Sequence, residues 1–386
     1  INSFNSIFSF KNMGNKILIL ILFASILLFI KSEDYKSFIS KLGLNLEEIE
    51  VITEDRYIIT IWRLTSQDPL NRNGKYAILQ HGLLDGGFTW LILEQDSLAK
   101  KLCDEGYTLY LPYMRGTQFS RSHLDYDSNL ISDYWEFSFD QMAEFDLPAI
   151  INYIKQRENV EKIYYIGHSQ GTLIFFLAYM NNPEFLEKNI KKFVALGTVP
   201  NVNNAPHFLI KLFEKSNILD LIPVKNFLSF PKEIGQIFVP FCTSKAKYLC
   251  NTILSLCFGG IEDTRRVDYE RLGKNIFLYE PGGTSLRNMK HWIQIYKAKR
   301  VQKYDYGDIF SNLIHYGRVT PPVYDLSKMK KYSIPSLMTI SDSDPFANPQ
   351  DTLEFVDNIE NKNIVEILSL HNYNHIDYFW ADSAIE

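Results

Sequence analysis

Apolar residues along the chain follow two rhythms. Short runs rich in β-branched and aromatic residues recur at 57–62 (YIITIW), 76–79, 108–111, 162–166, 193–196, 336–340 and 364–368. Such runs read as strands, several of them buried. Between them, apolar residues fall at helical spacing over 35–44, 96–104 (closed by Gly106), 134–156 despite Pro148, 172–180 and 351–359. Residues 71–74 read as a turn. Strands alternating with helices predict an α/β fold, with a mostly parallel central sheet covered by helices on both faces. The texture changes from 201 to 308, where Leu, Ile and Phe keep helical spacing but Pro223, Pro231 and Pro240 interrupt it. That stretch reads as a helical cap, or lid, inserted into the core. The expected division is an N-terminal extension with a leader (1–32), a first core part (33–200), the cap (201–308) and a second core part (309–386).

Candidate chemistry enters at 164–172, Tyr-Tyr-Ile-Gly-His-Ser-Gln-Gly-Thr. A strand runs into a sharp turn and straight out into a helix, with Ser169 at the tip. Gly167 and Gly171, two residues before and after it, let strand and helix approach; His168 fills the position between Gly167 and the serine. The turn strains the serine backbone and lifts its hydroxyl to a helix N-terminus, where the dipole favours a developing negative charge. This is the nucleophile elbow pattern of the α/β-hydrolase fold.

A serine hydroxyl needs a general base, an orienting acid and donors for an oxyanion. In this fold the partners follow in the order Ser, Asp or Glu, His, just beyond strand ends at the carboxyl edge of the sheet. The strand ending at Ile340 leads to Asp342 and Asp344; the strand ending at Leu368 leads to His371 and His375. Position alone leaves both choices open. One oxyanion donor is expected from the N–H of Gln170, after the nucleophile. The other is expected from Leu83 in the early loop His81-Gly82-Leu83, which Gly82 keeps close to the serine.

Composition narrows the field. With 386 residues, 46% of them hydrophobic, there is ample material for a core. The net charge is −5 and no Lys/Arg run stands out, so nothing points to nucleic acid. Serine chemistry needs no metal and no cofactor. Lys16 precedes an apolar run, 17–30, broken only by Ser25 and followed by Lys31 and Ser32. This reads as a secretory signal peptide with Met13 as initiator. The run is shorter than the roughly 18 to 20 residues that span a bilayer; a membrane anchor with Lys16 and Lys31 snorkelling is the alternative. No Asn-x-Ser/Thr sequon occurs.

The chain resembles the acid lipases, the family of gastric lipase and lysosomal acid lipase. The blocks that carry the resemblance, in order, are Gln80-His-Gly-Leu-Leu84, Tyr134-Trp-Glu-Phe-Ser-Phe-Asp140 with Phe145-Asp-Leu-Pro-Ala149, and 164–172. Then follow Pro281-Gly-Gly-Thr-Ser285 with Asn288 and His291-Trp292, the stretch 344–351, and Tyr373-Asn-His-Ile-Asp377. Together they span about 37–380. The resemblance implies Asp344, not Asp342, as catalytic acid, and His375, not His371, as catalytic histidine. It implies a disulfide between Cys242 and Cys250, with Cys257 free. It further implies hydrolysis of triacylglycerols or cholesteryl esters at a lipid–water interface, in a secreted or lysosome-type setting. Two features depart from the pattern. Pro112-Tyr-Met-Arg-Gly116 keeps only Arg115 and Gly116 of the usual Asn-Ser-Arg-Gly, and the chain stops soon after His375, as a fragment would. Rival readings are a membrane-anchored steryl-ester hydrolase of the same fold and a catalytically inactive lipid-binding protein.

Overall fold

The computed structural model describes residues 34–129, 131–205, 218–229, 279–381 and 384. Among them eleven strands form: β1 (Leu44–Ile52), β2 (Tyr57–Ser66), β3 (Tyr76–Gln80), β4 (Thr108–Pro112), β5 (Ser122–His123), β6 (Ile163–His168), β7 (Ile190–Leu196), β8 (Asn226–Phe227), β9 (Thr284–Ser285), β10 (Ser336–Ser341) and β11 (Val365–Leu370). The main sheet runs β1-β2-β4-β3-β6-β7-β10-β11, with β5 beside β2. From β4 onward along that order the pairings are parallel; β1–β2 and β2–β4 are antiparallel.

The inner part of the sheet, from β2 to β10, is largely buried on both faces, as helices on either side require, while the edge strand β11 is partly exposed. Period-two alternation deals its side chains to two apolar clusters. Ile59, Ile61, Ile78, Tyr110 and Tyr165 enter one cluster. Trp62, Leu64, Ala77, Leu79, Leu109 and Leu111 enter the other. The first cluster is closed by α3 (Leu147–Glu158), α4 (Gln170–Asn181) and α8 (Pro349–Val356), the second by α1 (Tyr35–Lys41), α2 (Leu98–Asp104) and α9 (Asp377–Trp380). The remaining helices are α5 (Pro183–Asn189), α6 (Leu286–Ala298) and α7 (Ile309–Tyr316). Helix α4, which opens at the serine, has every residue from Leu173 to Met180 no more than 2% exposed. The site is therefore mounted on the most enclosed element.

Two expectations need correction. The helix read over 35–44 stops at Lys41, and Gly43 (φ +75°) turns the chain into β1, a strand missed from sequence. β1 is an edge strand that buries Leu44 on one face and Ile49 and Val51 on the other, and Glu47, Glu48 and Glu50 dilute its apolar signal. Acidic residues on an edge also discourage pairing with other chains. The helix read over 134–156 starts only at Phe139. There Ser138 and Gln141 form a capping box, and a π-helical turn over Met142–Asp146 leads into α3, with Pro148 in its first turn, where a missing N–H costs little. Tyr134, Trp135 and Phe137 are buried all the same, in a non-α-helical connection.

Most of the expected cap over 201–308 lies outside the described residues. Of its described portion, β8 pairs with β9 and α6 packs Leu286, Met289 and Ile293 towards Leu83 and Leu84.

Candidate active site

Ser169 sits between β6 and α4 at φ +53°, ψ −120°, a left-handed conformation unusual for a side-chain-bearing residue. The neighbours over-determine it. Its N–H donates to Leu196 O (3.1 Å), and its carbonyl accepts from Thr172 N (2.8 Å) and Thr172 Oγ1 (2.7 Å). A Cβ on Gly171 would lie 2.6 Å from Gln80 O, and one on Gly167 would lie 3.0 Å from the Gly171 backbone. A side chain at Gly171 would strike fixed backbone, and one at Gly167 would have to push aside the Tyr165 ring and the Gly171 backbone.

The Ser169 hydroxyl lies 2.7 Å from His375 Nε2, and His375 Nδ1 lies 2.8 and 3.0 Å from the two oxygens of Asp344. A carboxylate only accepts, so Nδ1 carries the proton and Nε2 is left to accept from the hydroxyl. Asp344 Oδ1 also accepts from Phe346 N (2.9 Å) and Ala347 N (2.8 Å), which fixes the carboxylate plane. All three side chains are buried. Asp344 follows β10 and His375 follows β11, both beyond the carboxyl ends of parallel strands. The other two candidates pair with each other at the surface: His371 Nδ1 stands 3.1 Å from Asp342, both side chains more than half exposed. Of the candidates that sequence position left open, Asp344 and His375 lie in hydrogen-bonded series with Ser169 and Asp342 and His371 do not.

The residues around Ser169 suit an oxyanion. Gln170 is the first residue of α4, so its N–H has no intrahelical acceptor. Gly82 comes so near that a Cβ on it would lie 3.0 Å from Ser169 Cβ. His81 orients the next peptide. Its Nε2 accepts from Met114 N (3.1 Å), so its Nδ1 carries the hydrogen and donates to Gly82 O (2.9 Å). In a trans peptide the Leu83 N–H then points the opposite way from that carbonyl. Burial pushes His81 down to about 4, which keeps the imidazole neutral and this hydrogen-bond pattern intact well into the acid range.

By sequence His168 is only a part of the elbow. Its Nε2–H donates to the carbonyl of His375 (2.7 Å), tying the base's own backbone to the elbow. Burial, and next the adjacent His375, hold it well below an ordinary histidine, so it stays neutral. Spacing carries no signal for the roles of His81 and His168, because Met114, which sets the His81 tautomer, and His375 are remote in sequence.

A buried acid pair backs the same loop. Gly282 N donates to Leu84 O at 2.8 Å, which lays 279–284 against residues 82–87. Glu280, 7% exposed, lies against Asp85 and faces the backbone N–H groups of Gly86 and Gly282. Two adjacent carboxyls in a desolvated place hold a proton between them. Burial raises Asp85 to about 6, and burial followed by Asp85 raises Glu280 well above the usual range. A raised acid contributes stability that is complete below the unfolded value near pH 4 and is lost as pH rises through the folded value. The wild-type melting temperature, compared with that of Glu280→Gln, is therefore expected to drop as pH is raised from about 4 through 6 and above. A difference that stays flat over that range would show that no proton is held there.

Cys242, Cys250 and Cys257 lie outside the described residues, as does the apolar run 17–30. Cys103 is a buried free thiol. Among the described residues no helix is long and apolar enough to cross a membrane.

The chain is similar to known proteins. The family described as alpha/beta hydrolase fold matches residues 78–230, and that described as partial alpha/beta-hydrolase lipase region matches residues 35–94. Gastric triacylglycerol lipase of Mus musculus is 35% identical over 346 residues, 88% of this chain and 85% of that protein. The Bos taurus gastric triacylglycerol lipase is 35% identical over 92% of this chain and 88% of its own length. Lipase member K of Homo sapiens is 34% identical over 90% of this chain and 86% of its own. With an alpha/beta hydrolase sheet, a strained serine elbow and similarity of this depth over nearly all its length, the chain belongs to the acid lipase family, that of gastric triacylglycerol lipase.

Proposed function

We propose that this chain is a lipase that hydrolyses carboxylic esters of neutral lipids, triacylglycerols or cholesteryl esters, at a lipid–water interface. The observation that carries the reading is the hydrogen-bonded series Ser169, His375, Asp344 at the carboxyl edge of the sheet. In the proposed reaction Ser169 Oγ bonds to the ester carbonyl carbon while His375 Nε2 takes the hydroxyl proton. The carbonyl π electrons move onto oxygen, which the N–H groups of Leu83 and Gln170 receive. Collapse breaks the bond to the alcohol, and the alcohol takes the proton from Nε2. Water then gives a proton to Nε2 as it attacks the acyl-serine. The second collapse frees the carboxylic acid and returns the proton to Ser169 Oγ. Asp344 stays ionised and holds the imidazole while it is positive.

The leader-like run 17–30 and the gastric relatives support a secreted or lysosome-type location, and a Cys242–Cys250 disulfide belongs to the same reading. N-terminal sequencing of the mature protein distinguishes removal of 17–30 from its retention as an anchor.

The test is titration of released acid from emulsified triacylglycerol and cholesteryl ester, together with labelling by a fluorophosphonate. The proposal expects hydrolysis of at least one emulsion and covalent labelling that Ser169→Ala abolishes. An unlabelled, inactive wild-type protein that still binds lipid would instead establish the inactive carrier.

A further inference from the structure

The side chain of Gln170 is 2% exposed, although it is an amide at the first position of a helix. An apolar residue would fill that space without having to satisfy an amide. Gln170 Oε1 accepts from Asn288 Nδ2 at 2.9 Å and from Trp292 Nε1 at 2.8 Å, and Nε2 reaches Met142 Sδ at 3.6 Å. Asn288 and Trp292 stand one turn apart on α6, and Met142 opens the π-helical turn.

Amide orientations are normally ambiguous, but obligate donors fix them here. Phe139 N–H can only donate, and it meets Asn288 Oδ1 at 2.8 Å. Nδ2 of Asn288 must therefore face Gln170. Trp292 Nε1–H can only donate as well, so the atom of Gln170 that meets both must be oxygen. Asn288 is itself secured by Ser285 Oγ, which accepts from its N–H at 2.9 Å, and by Thr284 Oγ1, which accepts from Nδ2 at 3.1 Å. Trp292 packs edge-on to Phe139.

We infer that Asn288 and Trp292 are positioning residues for the oxyanion donor Gln170 N–H. The inference rests on the ester-hydrolase reading. The Ser169–Gln170 peptide carries that N–H and is set by ψ of Ser169 and φ of Gln170. Ser169 is strained, and the peptide plane is the soft joint through which strain would relax. Tethering the Gln170 side chain to α6 by two hydrogen bonds to one oxygen removes that freedom. A donor aimed where charge develops acts only if it stays aimed. The tie also makes α6, which packs on the Leu83 loop as well, a common support for both oxyanion donors.

The experiment uses the full-length enzyme with a soluble, monomeric p-nitrophenyl ester, so that adsorption to lipid plays no part. Trp292→Phe keeps the ring and deletes one donor; Asn288→Ala deletes the other. For the double variant kcat is expected to fall about tenfold to a hundredfold, less than the loss on removing a donor outright. KM should stay within about twofold, because the aim matters in the transition state and not in ground-state binding. Ki for a trifluoromethyl ketone, whose hemiketal oxygen occupies the oxyanion position, should rise by the same factor as kcat/KM falls. A purely structural role would lower the melting temperature without linking kcat to Ki. Should the double variant not fold, Trp292→Phe carries the test alone, with an expected loss of about threefold to tenfold in both kcat and ketone affinity. Unchanged kcat, or a fall in kcat with unchanged ketone affinity, overturns the inference. Ser169→Ala is measured in parallel. If it stays active, the ester-hydrolase site is wrong; if it is dead while the α6 variants are fully active, only the positioning role is wrong.

Discussion

Ser169→Ala and His375→Ala are each expected to lower ester turnover by about five to six orders of magnitude, and Asp344→Asn by about four. The aspartate case follows from its hydrogen bonds. Oδ1 receives two backbone N–H donors, from Phe346 and Ala347. In an asparagine variant the amide oxygen must occupy that place, which turns the NH2 towards His375 Nδ1. That nitrogen must then accept, so the proton moves to Nε2 and the imidazole can no longer take one from Ser169. The three losses should not add, because the groups act as one device. Asp342→Asn and His371→Ala, which alter the exposed pair, should leave kcat within about twofold. Steady-state kinetics on a soluble ester separate the cases. An inactive Asp342→Asn beside an active Asp344→Asn would reverse the assignment of the acid.

Arg115→Met is expected to destabilise the fold by about 3 to 5 kcal/mol, the scale of breaking a buried ion pair from one side. Arg115 is fully buried and donates from Nε to Asp146 at 2.9 and 3.1 Å, and from Nη1 and Nη2 to Asp55 at 2.6 and 2.8 Å. Its guanidinium stacks 3.9 Å from the Tyr57 ring centre. Methionine fills similar volume but leaves Asp146, itself fully buried, with an uncompensated charge. Most of the cost lies in that orphan and not in the lost attraction. Arg115→Met combined with Asp146→Leu should therefore recover more than half of the loss. Urea unfolding of wild type, single and double variants measures this. A single variant within about 1 kcal/mol of wild type would mean that water reaches Asp146. This pairing also shows what Arg115 does in the departing stretch 112–116. It ties the end of β4 to Asp146 at the head of α3, and Gly116 beside it leaves no room for a Cβ, which would lie 2.4 Å from Phe137.

The central strands were legible because both their faces are buried, so β-branched runs stand out against polar loops. The elbow was legible as a pattern of small residues around a serine between a strand and a helix; Gly167 answers to the nearby Gly171 backbone, while Gly171 itself is backed against the remote Gln80 and His81. β1 was not legible, since it lies at the sheet edge, buries only Leu44, Ile49 and Val51, split between its two faces, and is otherwise largely polar and acidic. The break before Phe139 was hidden because Tyr134, Trp135 and Phe137 are core residues that fit a helical spacing without forming a helix.

Local sequence determined the strand-and-helix alternation, the strained serine and the loops in which its partners must lie. Tertiary structure decided which members of those loops meet. Asp342 and Asp344 are two residues apart at the end of one strand, and only folding shows that one faces Ser169's histidine while the other faces water. It also decided that Gln170 answers to Asn288 and Trp292, 118 and 122 residues away. Periodicity acts between near neighbours and is written in composition. Hydrogen bonds between remote segments depend on a few ångströms of placement, which exists only once the two clusters on either side of the sheet have closed.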